Sequence, residues 1–163
     1  MVRAEELSNV LPVEFHQRHQ YLLYCNDIIV NILHMADDFE LSKVTLHFEN
    51  DEMIPDDVED VIRWMFDNGF QIEARNLLNA HLLFSLGGDM MMYLHESFSC
   101  SERGKVTVAF ADSRKPIQDT FAYLCWLLVD SVGISDSLLN KTSRDYDLSS
   151  KVDLKKDLLE KAA

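Results

Sequence analysis

Turn-forming residues and long apolar runs are both scarce in this chain of 163 residues. It has only five Gly and three Pro, which disfavours an all-β protein with many tight turns and favours a few long helices. No apolar run approaches the roughly 18–20 residues that cross a bilayer. The N-terminal segment carries charges where a signal peptide needs its apolar stretch. We therefore expect a soluble, cytoplasmic protein with no membrane anchor.

Cysteine is also scarce and shows no metal-binding spacing. Cys25, Cys100 and Cys125 lie far apart and form no CxxC, which is typical of reduced thiols. His16 and His19 are one helical turn apart, but the third and fourth ligands that zinc needs are not evident. The sequence has no Gly-rich phosphate loop either. We predict neither a metal nor a cofactor.

Positive charge is the third shortage, and the excess of negative charge is local. The net charge is −13, and between Asp37 and Asp60 ten acidic residues stand against Lys43 alone. A protein that binds nucleic acid without sequence preference needs clustered Lys and Arg, so any nucleic-acid role must depend on a small site. The acidic stretch 37–60 is either a solvated loop and helix start or a surface that binds a basic protein partner.

Apolar periodicity predicts several long helices. The segments with helical spacing are 13–36, a helix that Pro55 opens and Gly69 ends, 70–98, and a helix opened by Pro116. Within the third, Gly88 falls on the inner stripe, which indicates a close approach of another helix; a break into two helices is the alternative. Residues 39–54 are ambiguous between strand and helix, with helix favoured, and residues 99–115 read as a polar connection followed by a short β-branched run.

These patterns predict an all-α protein, a helical bundle of five or six helices. The bundle domain is expected to span residues 1–140. Residues 141–163 are expected to form a polar C-terminal tail with a weak helix, which is either frayed or docked on a partner.

One short constellation carries candidate chemistry: Arg75, Asn76, Asn79 and His81 on a single helix. Over six residues the side-chain direction turns by about 600° around the helix axis, which is one full turn plus 240°. Arg75 and His81 therefore point about 120° apart and lie about 9 Å apart along the axis. Two such helices at a two-fold interface could each contribute Arg and His to a shared cleft. His would act as general acid or base on an RNA 2′-hydroxyl, Arg would neutralise the phosphorane, and the Asn side chains would orient the phosphate or the His.

The same residues resemble the signature of the HEPN superfamily, an Arg followed after four to six residues by a His. Here five residues intervene, and the Asn directly after Arg75 matches the commoner form of the motif. The resemblance implies a small helical bundle and a homodimeric, metal-independent endoribonuclease, as in toxin–antitoxin or phage-defence systems, whose protein partner would be of the antitoxin type. Other members of the superfamily are inactive.

Structural explanations for the motif stay open beside the catalytic one. His81 shares a stripe with Leu77, Leu78 and Phe84, which is also typical of a hydrogen-bonded core histidine. Arg75 is equally suited to bridge to an acidic residue elsewhere on the surface. The alternative function is therefore a non-catalytic interaction module or complex subunit whose acidic stretch 37–60 meets a basic partner.

Overall fold

In a computed structural model, described for residues 11–48, 60–140, 146–148 and 151–163, the chain is an all-α helical bundle, as predicted. The described residues contain seven α-helical segments: α1 Val13–Asp38, α2 Val61–Asp67, α3 Gln71–Glu102, α4 Val106–Lys115, α5 Phe121–Val129, α6 Ser131–Asn140 and α7 Val152–Ala162. One π-helical turn, Pro116–Thr120, joins α4 to α5 without a break. Within the described ranges, no single helix is both long and apolar enough to cross a bilayer.

The long helices α1 and α3 pack against each other through a glycine. A Cβ added at Gly87 would lie 3.4 Å from Leu33 Cδ2 of α1, whereas one added at Gly88 would meet nothing within 4 Å. The close approach predicted at Gly88 is therefore one residue off, because the inner face of α3 at this level is centred on Gly87, which is buried. The alternative of two helices is wrong, since α3 is continuous.

The segment after α1 is not the helix that the sequence favoured. Residues 39–42 form turns and residues 43–48 have no regular structure; residues 49–59, with Pro55 and much of the acidic stretch, lie outside the described residues. Side chains in 43–48 alternate between exposed and half-buried, which is the pattern of an extended segment lying on the bundle. At its end, Phe48 packs edge-on against Phe70, with ring centroids 5.3 Å apart. The next helix begins after Asp60, whose carboxylate accepts from the Arg63 backbone N–H at 2.9 Å.

The predicted connection at 99–115 is only three residues long in the structure, 103–105, because helices occupy the rest of that range. α3 continues to Glu102, a turn at Arg103 and Gly104 (φ 72°) follows, and α4 starts at Val106. Pro116 was expected to open a new helix, but it lies inside a continuous one. Because proline lacks an N–H and its ring crowds the preceding turn, the backbone widens locally and the Phe121 N–H bonds to the Pro116 carbonyl.

The main core lies where α5, α6 and α7 meet. Trp126 of α5 and Ile134 of α6 pack with Leu148 and with Leu158 of α7, which is only 3% exposed. Tyr123 donates a hydrogen bond to the Tyr146 carbonyl at 3.0 Å and fixes the approach to α7. Whether residues 1–140 fold without the segment 141–163 stays a prediction. In the structure, the C-terminal helix α7 contributes Leu158 to the same core as α5 and α6.

Candidate functional site

Arg75 binds within its own chain. Its Nη2 donates to Asp136 Oδ1 of α6 at 3.1 Å, and its guanidinium lies over the Phe66 ring at 5.3 Å. The side chain is 28% exposed, and its buried Nε has no hydrogen-bond partner among the described residues. The surface ion pair considered from sequence is thus present, and it joins α3 to α6.

The two asparagines of the motif have different surroundings. Asn79 Oδ1 lies 2.6 Å from Ser135 Oγ of α6, a hydroxyl that is also 2.7 Å from the Ser131 carbonyl. Asn76 is exposed on the outer surface of α3. Arg75 and Asn79 therefore share the face of α3 that meets α6, and Asn76 lies outside it.

His81 is exposed and lines a groove between α1 and α3. A core histidine, the structural alternative, is thereby ruled out. The six-residue spacing has the effect expected from helix geometry, because Arg75 faces α6 while His81 faces α1. Within one protomer, the structure does not bring Arg75 and His81 to a common site.

The groove around His81 has a volume of about 770 Å³. Two further histidines line it, His34 from α1 and His95 from α3. Sequence analysis did not group these three residues. His95 follows His81 by fourteen positions, close to four full turns, so helical spacing alone could have placed both on one face; His34 could not be added without knowing how α1 packs on α3.

The charged residues of the groove are all acidic. Asp27, Asp37 and Glu96 line it, and no Lys or Arg of the described residues does. No cluster of three or more metal-ligating side chains occurs in the described residues. The sequence-derived pair is also separated: His16 Nε2 lies 2.6 Å from the Leu11 carbonyl, and His19 Nε2 lies 2.6 Å from Glu102 Oε1 of α3. Both histidines therefore have structural partners.

A second candidate site is the outer face of α1, opposite the face that packs on α3. Large apolar or aromatic side chains follow one another there at three- and four-residue steps, and Phe39 continues the series directly after the helix. These six side chains are 39–71% exposed: Tyr21, Tyr24, Ile28, Ile32, Met35 and Phe39. Between residues 19 and 36 the only acidic or basic side chain, His apart, is Asp27. A hydrogen bond with Cys25 raises the pKa of Tyr21. The helix therefore has two apolar faces, of which the bundle covers one.

Comparison with known proteins identifies no relative: no family model matches the chain, and no curated protein or solved structure matches it significantly.

Proposed function

We propose that this chain is a non-catalytic interaction module that works as a homodimer, paired through the outer face of α1. The observation that carries this proposal is the uncovered apolar stripe from Tyr21 to Phe39. A helix on the surface of a monomer normally presents charged or polar side chains there. The exposed acidic residues at the C-terminal end of the stripe, Asp37, Asp38 and Glu40, are then available to a basic protein partner.

The size of the stripe supports a stable contact. At roughly 200 Å² for a fully exposed large side chain, six residues that are about half exposed offer roughly 600–700 Å² per copy. The largest apolar patch on a typical monomer is about 300–600 Å², and a standard interface buries about 800 Å² per partner. The stripe alone approaches the area that a specific dimer needs.

The arrangement of the stripe favours a second copy of the chain as the occupant. An antiparallel contact centred on Ile28 places Tyr21 opposite Met35 and Tyr24 opposite Ile32 of the other copy, so the same surface complements itself. Two chains of net charge −13 repel each other. An apolar face with almost no charge is where that repulsion is weakest.

Replacing Ile28 by Glu tests the dimer, because the symmetry sets two buried carboxylates opposite each other. We expect sedimentation equilibrium to give twice the chain mass for the wild type and the single mass for Ile28→Glu. Val152→Glu is the matched control, since Val152 is 73% exposed on α7 and should leave the dimer intact. The proposal would be overturned if the wild type still sedimented with the single mass after its concentration in this experiment was raised 100-fold.

We infer a second candidate from the exposure of His81, which is metal-independent RNA cleavage of the HEPN type. In this case the site would be composite, with His81 from one copy and Arg75 from the other, because the two side chains diverge within a protomer. Such a dimer pairs α3 with α3, and the dimer through α1 does not. The exposed edge of Arg75 and the open position of His81 are compatible with it.

Cleavage of a mixed RNA pool in EDTA tests this second candidate. We expect His81→Ala to lower the rate by at least about 100-fold, as for loss of a general acid or base. Arg75→Ala should lower it by a similar factor, because the charge that stabilises the phosphorane is lost. His47→Ala is the control, because His47 is exposed in the irregular segment after α1. Intact RNA at micromolar wild-type protein, or equal rates in wild type and His81→Ala, would eliminate the nuclease.

A further inference from the structure

The groove between α1 and α3 has an apolar floor and a polar rim. Val30 and Leu33 of α1 and Phe84 and Met91 of α3 form the floor, and Met92 lies at the edge, 59% exposed. At about 770 Å³, the volume lies within the range of about 300–1,000 Å³ that is usual for small-molecule sites. A ligand with an apolar body of one ring would be covered on two sides.

Asn26 supplies an unmet hydrogen-bonding group in this groove. Its side chain lines the groove although the residue is only 6% exposed, and its Oδ1 has no hydrogen-bond partner among the described residues. A buried carbonyl oxygen without a donor costs about 1–3 kcal/mol. This oxygen is shielded where it stands, so a ligand reaches it only after the amide turns toward the groove, which exchanges the oxygen and nitrogen positions without any change of backbone. An N–H donor on a bound ligand would give this oxygen its missing partner.

The charge of the rim selects the sign of the ligand. Asp27, Asp37 and Glu96 give the described part of the lining a charge of −3 when the histidines are counted as neutral, and no Lys or Arg within that part opposes them. The same charge repels a polyanion such as a nucleic-acid backbone, and this counts against RNA cleavage at His81, which lines the groove. A small organic cation would be attracted, and its N–H groups can donate to carboxylates, imidazole nitrogens and an amide oxygen.

We propose that this groove binds a small primary ammonium ion with an apolar or aromatic body. The ammonium group donates to Asn26 Oδ1 and is neutralised by the acidic rim. The ring or alkyl part lies on the floor formed by Leu33, Phe84 and Met91. The site is independent of the outer face of α1, since it lies on the side of that helix that packs on α3.

Three ligands with the same body and different charge test the proposal: phenethylammonium, neutral 2-phenylethanol and anionic phenylacetate. Titrations of the full chain at pH 7 are followed by the histidine ring signals in ¹H–¹³C NMR. We expect saturable binding of phenethylammonium, with an affinity at least about tenfold above that of 2-phenylethanol. Phenylacetate should not bind.

Asn26→Leu separates a ligand-binding role from a structural one. The substitution keeps the size of the side chain and removes the unpaired oxygen, so the thermal midpoint should stay the same or rise while phenethylammonium binding falls at least about tenfold. Asn31→Leu, on an exposed position of the same helix, should change neither. Glu96→Gln leaves the buried packing untouched and should weaken binding by about threefold or more.

Several results would overturn the proposal. They are no saturable shift in the wild type at 10 mM phenethylammonium, equal affinities for the three ligands, or undiminished binding in both Asn26→Leu and Glu96→Gln.

Discussion

At the scale of single residues, Arg75 links α3 to two neighbours. It pairs with Asp136 of α6 and stacks on Phe66 of α2, with both contacts partly open to solvent. Partly exposed ion pairs contribute up to about 1 kcal/mol, and exposed cation–π contacts about 0.5–1 kcal/mol. The same side chain therefore has a structural task whether or not it has a chemical one.

Arg75→Ala is expected to lower the free energy of unfolding by about 1–2 kcal/mol, because both contacts are lost together. Urea denaturation followed by circular dichroism measures this change. Arg63 is exposed and makes no such side-chain contact with the residues that the structure describes, so Arg63→Ala should stay within about 0.5 kcal/mol of wild type. Equal urea midpoints for Arg75→Ala and wild type would contradict a structural role for Arg75.

The candidate site shows where sequence information ends at this scale. Fixed helix geometry predicts the angle between Arg75 and His81, since it depends only on their separation along one helix. Asp136 is 61 positions from Arg75, and Ser135 is 56 from Asn79. Partners at that distance depend on how α6 folds back onto α3, which local spacing does not specify.

At the scale of elements, the glycine pair in α3 gives a matched comparison. An added Cβ at position 88 meets nothing within 4 Å, while at position 87 it lies 3.4 Å from Leu33. In a helix interior, Ala is favoured over Gly by about 1 kcal/mol. Gly88→Ala should therefore stabilise the protein by about 1 kcal/mol. Gly87→Ala should gain less, because Leu33 must adjust.

Thermal and urea midpoints of the two variants measure that difference. A loss of stability in Gly88→Ala would contradict the open space that the structure shows beside this glycine. A larger gain for Gly87→Ala than for Gly88→Ala would contradict the packing of α1 on α3.

Elements were predictable where a single period ran along the chain. The ends of α1 and the existence of α3 follow from apolar residues at three- and four-residue steps. The segment 43–48 was assigned to a helix from its context, although its side chains alternate as a strand's do; in the described structure it is irregular and has no strand partner. The helix through Pro116 was divided because proline normally disrupts an α-helix, and nothing local announces a π-helical turn.

At the scale of the whole molecule, α7 completes the core. Leu158 is 3% exposed against Trp126 and Ile134, whereas the neighbouring Leu159 is 39% exposed. Truncation of a buried Leu to Ala costs about 2–5 kcal/mol. Leu158→Ala should therefore lower the stability of the entire bundle by that amount, and Leu159→Ala by much less.

Hydrogen exchange shows whether this loss is global. If α7 belongs to one cooperative unit, Leu158→Ala should speed the exchange of the slowest amides in α3 and α5 together. Faster exchange confined to α7 would mean that the C-terminal helix opens alone, as expected for the separate tail predicted from sequence.

The π-helical turn at Pro116–Thr120 resets the rotational phase of the helix that contains it. One extra residue in that turn rotates everything after it by about 100° relative to an uninterrupted helix. α4 can thus pack against α3, while Trp126, further along the same continuous helix, packs against α6 and α7. Deleting one residue between Pro116 and Phe121 would rotate α5 by about 100° relative to α4. Trp126 would then point away from the core, while α4 would keep its contacts with α3. The spacing from Val106 to Val129 should therefore tolerate substitutions far better than single-residue insertions or deletions.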